Sequence, residues 1–207
     1  MAWAFVTSLL AGLVGVLLLT SASAGPDLSK CQPLNGQALP MGDFLSRLSR
    51  RKATKFYVTA LTRELQPNTV SVMLSLKALR RKRYLMTTTA NVRGASGVLQ
   101  CVSIDHTLHY NQQERRLESK WDVYSYVVHV YLLANDAEKG RTAFYVELKR
   151  DGKKDKSLSL IDLLTSDPST ESSSDWASDA VKRICVDSDV FFDSLSVNAS
   201  MKANCGN

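Results

Sequence analysis

Three histidines, four cysteines and a dense run of cations are the residues of this 207-residue chain whose types could do chemistry. Histidine serves as metal ligand or general base only with partners at a suitable spacing. His106 and His109 stand three apart in a stretch that reads as a strand, which turns them to opposite sides, and His129 takes the outward parity of its own strand. That pattern assembles no metal site. A nucleophilic serine on a sharp elbow would show as Gly-x-Ser-x-Gly, and the motif is absent. Cys31, Cys101, Cys185 and Cys205 include no C-x-x-C pair, which argues against zinc; their even number suggests two disulfides, with three connectivities open. No catalytic residue, metal or cofactor is expected, and the chain reads as a non-enzyme.

The cations are concentrated. From Arg47 to Arg83 there are eleven Lys or Arg against Glu64 alone, so this stretch is +10 in a chain of net charge +6. A localised positive field attracts anionic partners such as phosphate, sulfate or a membrane surface, although a charge run is commonly a solvated loop face. Arg80, Arg81, Lys82 and Arg83 also resemble a proprotein-processing site, but the expectation is a charged loop near the mouth of the fold. Nucleic acid is disfavoured, because no zinc finger or aromatic-rich RNA-binding motif is present.

Composition and termini set the frame in which these residues must be held. At 44% hydrophobic and 22% charged, with 10 Gly and 5 Pro, the chain is an ordinary globular one and not a disordered tail. Residues 1–24 carry no charge, run apolar from Ala2 to Leu19 and end Ser21-Ala22-Ser23-Ala24, the small-residue pattern of a signal-peptide cleavage site. A signal peptide over 1–24 is expected, with one domain over 25–207 that is soluble, secreted and monomeric.

The elements that would position a site are strands. Lys55 to Leu65, Thr69 to Leu76, Tyr84 to Val92, Val98 to Tyr110, Arg115 to Trp121, Tyr124 to Leu133, Thr142 to Lys149 and Ser157 to Leu164 are short β-rich runs separated by turn-like breaks. Eight such strands without intervening helical periods predict an antiparallel meander, either a sandwich or a closed barrel wide enough for one small ligand. After them Trp176, Ala177, Ala180, Val181 and Ile184 fall on one face of a helix. A single amphipathic helix after eight strands favours the up-and-down barrel.

The residues then resemble a family. Phe56-Tyr57-Val58-Thr59-Ala60, the strand series Tyr126-Val127-Val128-His129, Phe144-Tyr145-Val146-Glu147 and Leu158-Ser159-Leu160, the helix leading into Cys185, and cysteine separations of 70, 84 and 20 residues are similar to the lipocalins. Within them the likeness is to the alpha-1-acid glycoproteins (orosomucoids) and related fish toxin- and tributyltin-binding lipocalins. The resemblance implies an all-β, eight-stranded antiparallel up-and-down barrel with a C-terminal helix packed outside. It also implies bridges Cys31 to Cys185 and Cys101 to Cys205. Where the family has Gly-x-Trp on its first strand this chain has Ala53 and Lys55, so the barrel floor must be packed by other residues. The Asn198-Ala199-Ser200 sequon adds an N-glycosylation site at Asn198.

Carried over from the family, the pocket lining would be Tyr57, Leu85, Thr87, Thr89, Tyr126, Val128, Val130, Phe144, Val146, Ser159 and Ile161. Arg116 and Lys120 would stand near the pocket mouth as candidate contacts for an anionic head group. The function so implied is non-enzymatic binding and transport of a small lipophilic or amphipathic molecule in the barrel, with an anionic head group at a basic rim. The alternative is a secreted interaction protein whose filled barrel presents basic loops to polyanions, membrane or a protein partner.

Overall fold

The computed structural model describes residues 38–62, 68–121, 126–150, 157–167, 175–184 and 192–194. The leader, Cys31, Cys185, Cys205 and Asn198 lie outside the described residues, and so do the expectations that rest on them. The described elements run α1 (Met41–Ser46), β1 (Thr54–Thr62), β2 (Thr69–Ala78), β3 (Arg83–Arg93), β4 (Leu99–Asn111), β5 (Arg116–Trp121), β6 (Tyr126–Asp136), β7 (Arg141–Arg150) and β8 (Ser157–Thr165). A 3₁₀ turn (Asp175–Ala177), α2 (Ser178–Ile184) and β9 (Phe192–Ser194) complete them.

β2 to β8 pair antiparallel in sequence order, and β1 closes the sheet by pairing with both β8 and β2. Closure leaves no free edge among these eight strands, the usual hazard of a flat sheet. β1 reaches both partners by changing register between Val58 and Ala60: its first half lies along β2 and its second along β8, where β9 takes the vacated side at Ala60 to Thr62. The result is the expected eight-stranded antiparallel barrel with a helix outside.

Closure divides the apolar residues between two cores. Phe56, Val58, Leu74, Leu76, Leu108, Leu117, Val128, Val130, Leu132, Phe144 and Leu164 point into the barrel. On the outside Tyr131, Leu133, Ala143, Tyr145, Ile161 and Leu163 are covered by Ala177 of the 3₁₀ turn and by Ala180, Val181 and Ile184 of α2, the face that the helical period indicates.

The helix α1 has no counterpart among the elements expected from sequence. Met41, Phe44, Leu45 and Leu48 recur at i, i+3, i+4 and i+7 and are all buried in the inner core. Leu39 N–H bonds the Leu132 carbonyl at 2.8 Å, tying the approach of α1 to β6. Phe44 stands edge-on to Phe144 with ring centres 5.5 Å apart and tilted against Phe56 at 5.7 Å. These three rings floor the barrel in a chain that lacks the family's tryptophan there.

Strand alternation then decides which loops lie at the floor. β1 starts at that end, so the turns after β2, β4 and β6 return to it. The Ala78 N–H bonds the Ser49 carbonyl at 3.1 Å, which brings Arg50, Arg51 and Lys52 beside Arg80, Arg81 and Lys82. The basic turn therefore belongs to the helix-closed end and not to a mouth, correcting its expected position.

Candidate ligand cavity

The barrel interior is not filled. A cavity with about 740 Å³ of space between its walls, its opening to solvent included, lies above the aromatic floor. Its walls are Leu74 and Leu76 of β2, Met86 and Thr88 of β3, His106 and Leu108 of β4, Leu117 of β5, Val128 and Val130 of β6, Phe144 and Val146 of β7, and Leu160 and Asp162 of β8. Each strand contributes alternate residues, as a pleated wall must. Ten of the thirteen side chains are apolar, so the site offers burial of hydrocarbon with three polar exceptions.

Asp162 is the most unusual of the three. Its register partners are Phe144 on β7 and Leu61 on β1, which sets it low in the barrel beside the floor ring. By surface it is half-buried, yet its carboxyl is enclosed by protein, because the surface it retains faces the cavity. Burial pushes this carboxyl up to about 7, and among the described residues no hydrogen bond or neighbouring cation holds it down. His106 stands on β4, four strands from β8 in the closed sheet and hence on the opposite wall. Burial lowers its pKa, and the nearby Asp105 charge only partly opposes this. Thr88, on β3 one inward position from Met86, the register partner of His106, is the third polar group.

Several residues carried over from the family do not line this cavity. Val128, Val130, Phe144 and Val146 do, and position 126 shares the parity of 128 and 130 on β6. Tyr57 does not, because its neighbours Phe56 and Val58 are the residues that enter the inner core. On β3 the inward series is Met86 and Thr88, so Leu85, Thr87 and Thr89 take the outer face. There Thr87 donates to Asp105 at 2.6 Å and Thr89 lies 3.4 Å from Ser103. On β8 Leu160 and Asp162 point in, and Ile161 lies in the outer core beneath the helix; the side chain of Ser159 is outside the described residues. The corrections on β3 and β8 are one-residue slips, and each such slip exchanges the faces of a strand.

Arg116 is also on the outer wall, since the neighbouring Leu117 is the residue that points inward. Its Nη1 donates to the Tyr131 hydroxyl at 2.9 Å and its Nε to Glu118 at 3.3 Å. The guanidinium lies over the Tyr131 ring, 5.8 Å from its centre. Burial works against its charge, but the bonds to Tyr131 and Glu118 outweigh this and raise its pKa. Arg116 thus braces the barrel wall, and the side chain of Lys120 is outside the described residues. His129, outward as expected, meets Glu147 across the strands at 3.3 Å, and Lys149 reaches the same carboxyl at 3.1 Å. Burial opposes the Glu147 charge, but these two partners hold its pKa below the ordinary value. Cys101 is disulfide-bonded, and its partner lies outside the described residues.

No family model matches the chain, and no curated protein sequence matches it. Solved structures do. The siderocalin Ex-FABP, described as functioning through dual ligand specificities, is 15% identical and superposes with a TM-score of 0.51 over 72% of this chain and 95% of its own. Lobster apocrustacyanin A1 is 16% identical, with a TM-score of 0.50 over 72% and 78% of the two chains. H1 crustacyanin from the lobster Homarus americanus is 16% identical, with a TM-score of 0.52 over the same shares. At these identities the likeness is one of shape, and with eight strands closed in sequence order around an apolar cavity it establishes that the chain has the lipocalin fold.

Proposed function

We propose that this chain is a secreted, non-catalytic lipocalin, akin to the alpha-1-acid glycoprotein branch, that binds and carries a small lipophilic or amphipathic molecule. One observation carries the reading: the barrel holds a cavity walled by ten apolar side chains and closed at one end by packed aromatic rings. Burying hydrocarbon there is worth about 25 cal/mol per Å², before the losses of association are subtracted. The uncharged leader and the disulfide at Cys101 support an oxidising, extracellular setting. The test is uptake of hydrophobic fluorescent probes by the purified protein, with native mass spectrometry for a copurified molecule. Phe144→Asp should abolish uptake while far-ultraviolet circular dichroism stays unchanged. A wild-type barrel that takes up no probe and releases no small molecule would overturn the reading.

A second reading has its own observation. Two basic segments converge at the floor end through the Ser49 to Ala78 bond, and among the described residues none of Arg50, Arg51, Lys52, Arg80, Arg81 or Lys82 has a carboxylate partner. Such a surface suits a sulfated polyanion. Retention on immobilised heparin should fall steeply with salt and drop when Arg80, Arg81, Lys82 and Arg83 become serine. Unchanged retention in that variant would remove this reading.

A further inference from the structure

We propose that the barrel takes its ligand cation first: the bound molecule is an amphiphile with a single organic cation, an ammonium or amidinium, whose head seats against Asp162 near the floor and whose apolar part lies along the upper wall. This rests on the cavity reading above and adds the ligand's charge and orientation to it.

The geometry points one way. Asp162 lies one inward position from Leu164, which is fully buried, and beside Phe144, against which the floor ring Phe44 packs. Any head group that reaches it must pass the apolar residues above, among them Leu160, Val146 and Val128. The fold makes no use of this carboxyl. Among the described residues nothing donates a hydrogen bond to it and no cation faces it, whereas buried carboxylates are ordinarily paired. A ligand cation supplies the missing partner, and in an apolar enclosure their attraction is far stronger than in water. A fatty acid would bring a second carboxylate to the same place, and a neutral alcohol would leave the charge unpaired. A bare metal ion is poorly served, since no group of three His, Cys, Asp or Glu is assembled among the described residues. The other titratable group of the cavity, His106, faces Asp162 from the opposite wall, and burial favours its uncharged form near neutral pH, so it leaves the cation's place open.

The test compares octyltrimethylammonium, octanol and octanoate, which share a tail and differ in head group, by calorimetry on the purified full chain near pH 8. The ammonium should bind about tenfold or more tightly than the alcohol and the carboxylate more weakly still. Asp162→Asn should erase that preference while octanol binding persists. The charge of octyltrimethylammonium does not depend on pH, so its affinity should fall severalfold from pH 8 to pH 5, towards that of Asp162→Asn, as Asp162 takes up a proton. The same fall persisting in Asp162→Asn would assign it to His106 and overturn the proposal. Equal binding of all three compounds, or a preference that survives in Asp162→Asn, overturns it while leaving the cavity reading intact. Failure of the wild type to bind any of the three overturns both.

Discussion

The carboxyl of Asp162 loses its hydration on folding and gains no hydrogen bond from the described residues in exchange. Its pKa therefore rises from 3.8 to about 7, and between those values the folded chain holds one proton more than the unfolded chain. Stability on this account is fully present below pH 3.8 and declines as pH rises towards 7, levelling off above it. Three units at about 1.4 kcal/mol each make the loss about 4 kcal/mol. In urea unfolding, Asp162→Asn should show a difference in stability between pH 4 and pH 8 smaller than that of the wild type by about this amount. Identical pH profiles for the two proteins would show that the carboxyl is hydrated or paired after all. The residue was not legible as a site because β8 is buried on both faces. Leu160 and Leu164 face the cavity side while Ile161 and Leu163 face the helix, so apolar residues occur at both parities and alternation cannot tell in from out. The run Thr87, Thr88, Thr89 hides the parity of β3 in the same way. On β6 and β7 the bulky inward series of Val128, Val130, Phe144 and Val146 stood out, and there the reading of the pocket and the structure coincide.

The strands were the most readable elements, because each is bounded by turn residues and is long enough for its β-rich composition to show. The floor helix was not: six residues are too few for a periodic signal to stand out, although the stripe from Met41 to Leu48 is present. Turns behave differently again. The β3–β4 and β6–β7 turns place glycine at positive φ, Gly97 at 77° and Gly140 at 63°. The β2–β3 turn sets Arg81 at 59° and Lys82 at 56° as its two central residues, closed by the Arg83 N–H to the Arg80 carbonyl at 3.4 Å. Both positive φ values mark a type I′ hairpin, which favours Asn-Gly. Side chains with a Cβ are strained there, so replacing Arg81 with Asn and Lys82 with Gly should stabilise the barrel by about 1–2 kcal/mol. The same double substitution should weaken heparin retention if the floor end is a polyanion surface. A variant less stable than the wild type by denaturant titration would mean that these cations hold the turn through contacts other than the one Lys82 makes to Gln112.

At the scale of the whole molecule, the exposed basic turn is also the place where a trypsin-like protease would cut, and closure of the barrel determines the fate of the nicked chain. Cleavage after residue 82 would leave α1, β1 and β2 in one fragment and β3 to β9 in the other. Neither fragment can close alone. Together they retain the β2–β3 ladder on one side, the β1–β8 ladder on the other and α1 packed into the inner core. No paired strand is interrupted, and the severed turn is the one in which two residues hold strained backbone. Cys31 falls in the first fragment and its expected partner Cys185 in the second, so the test is made with the disulfides reduced: the nicked protein should then remain associated at native pH, migrate as a single species by size exclusion and still take up a hydrophobic probe, because the cavity walls on both sides of the cut stay in register. Its stability should become dependent on protein concentration, since refolding now joins two chains and loses the advantage of a short covalent loop. Fragments that separate without denaturant would mean that continuity at this turn, and not closure of the sheet, keeps the barrel together.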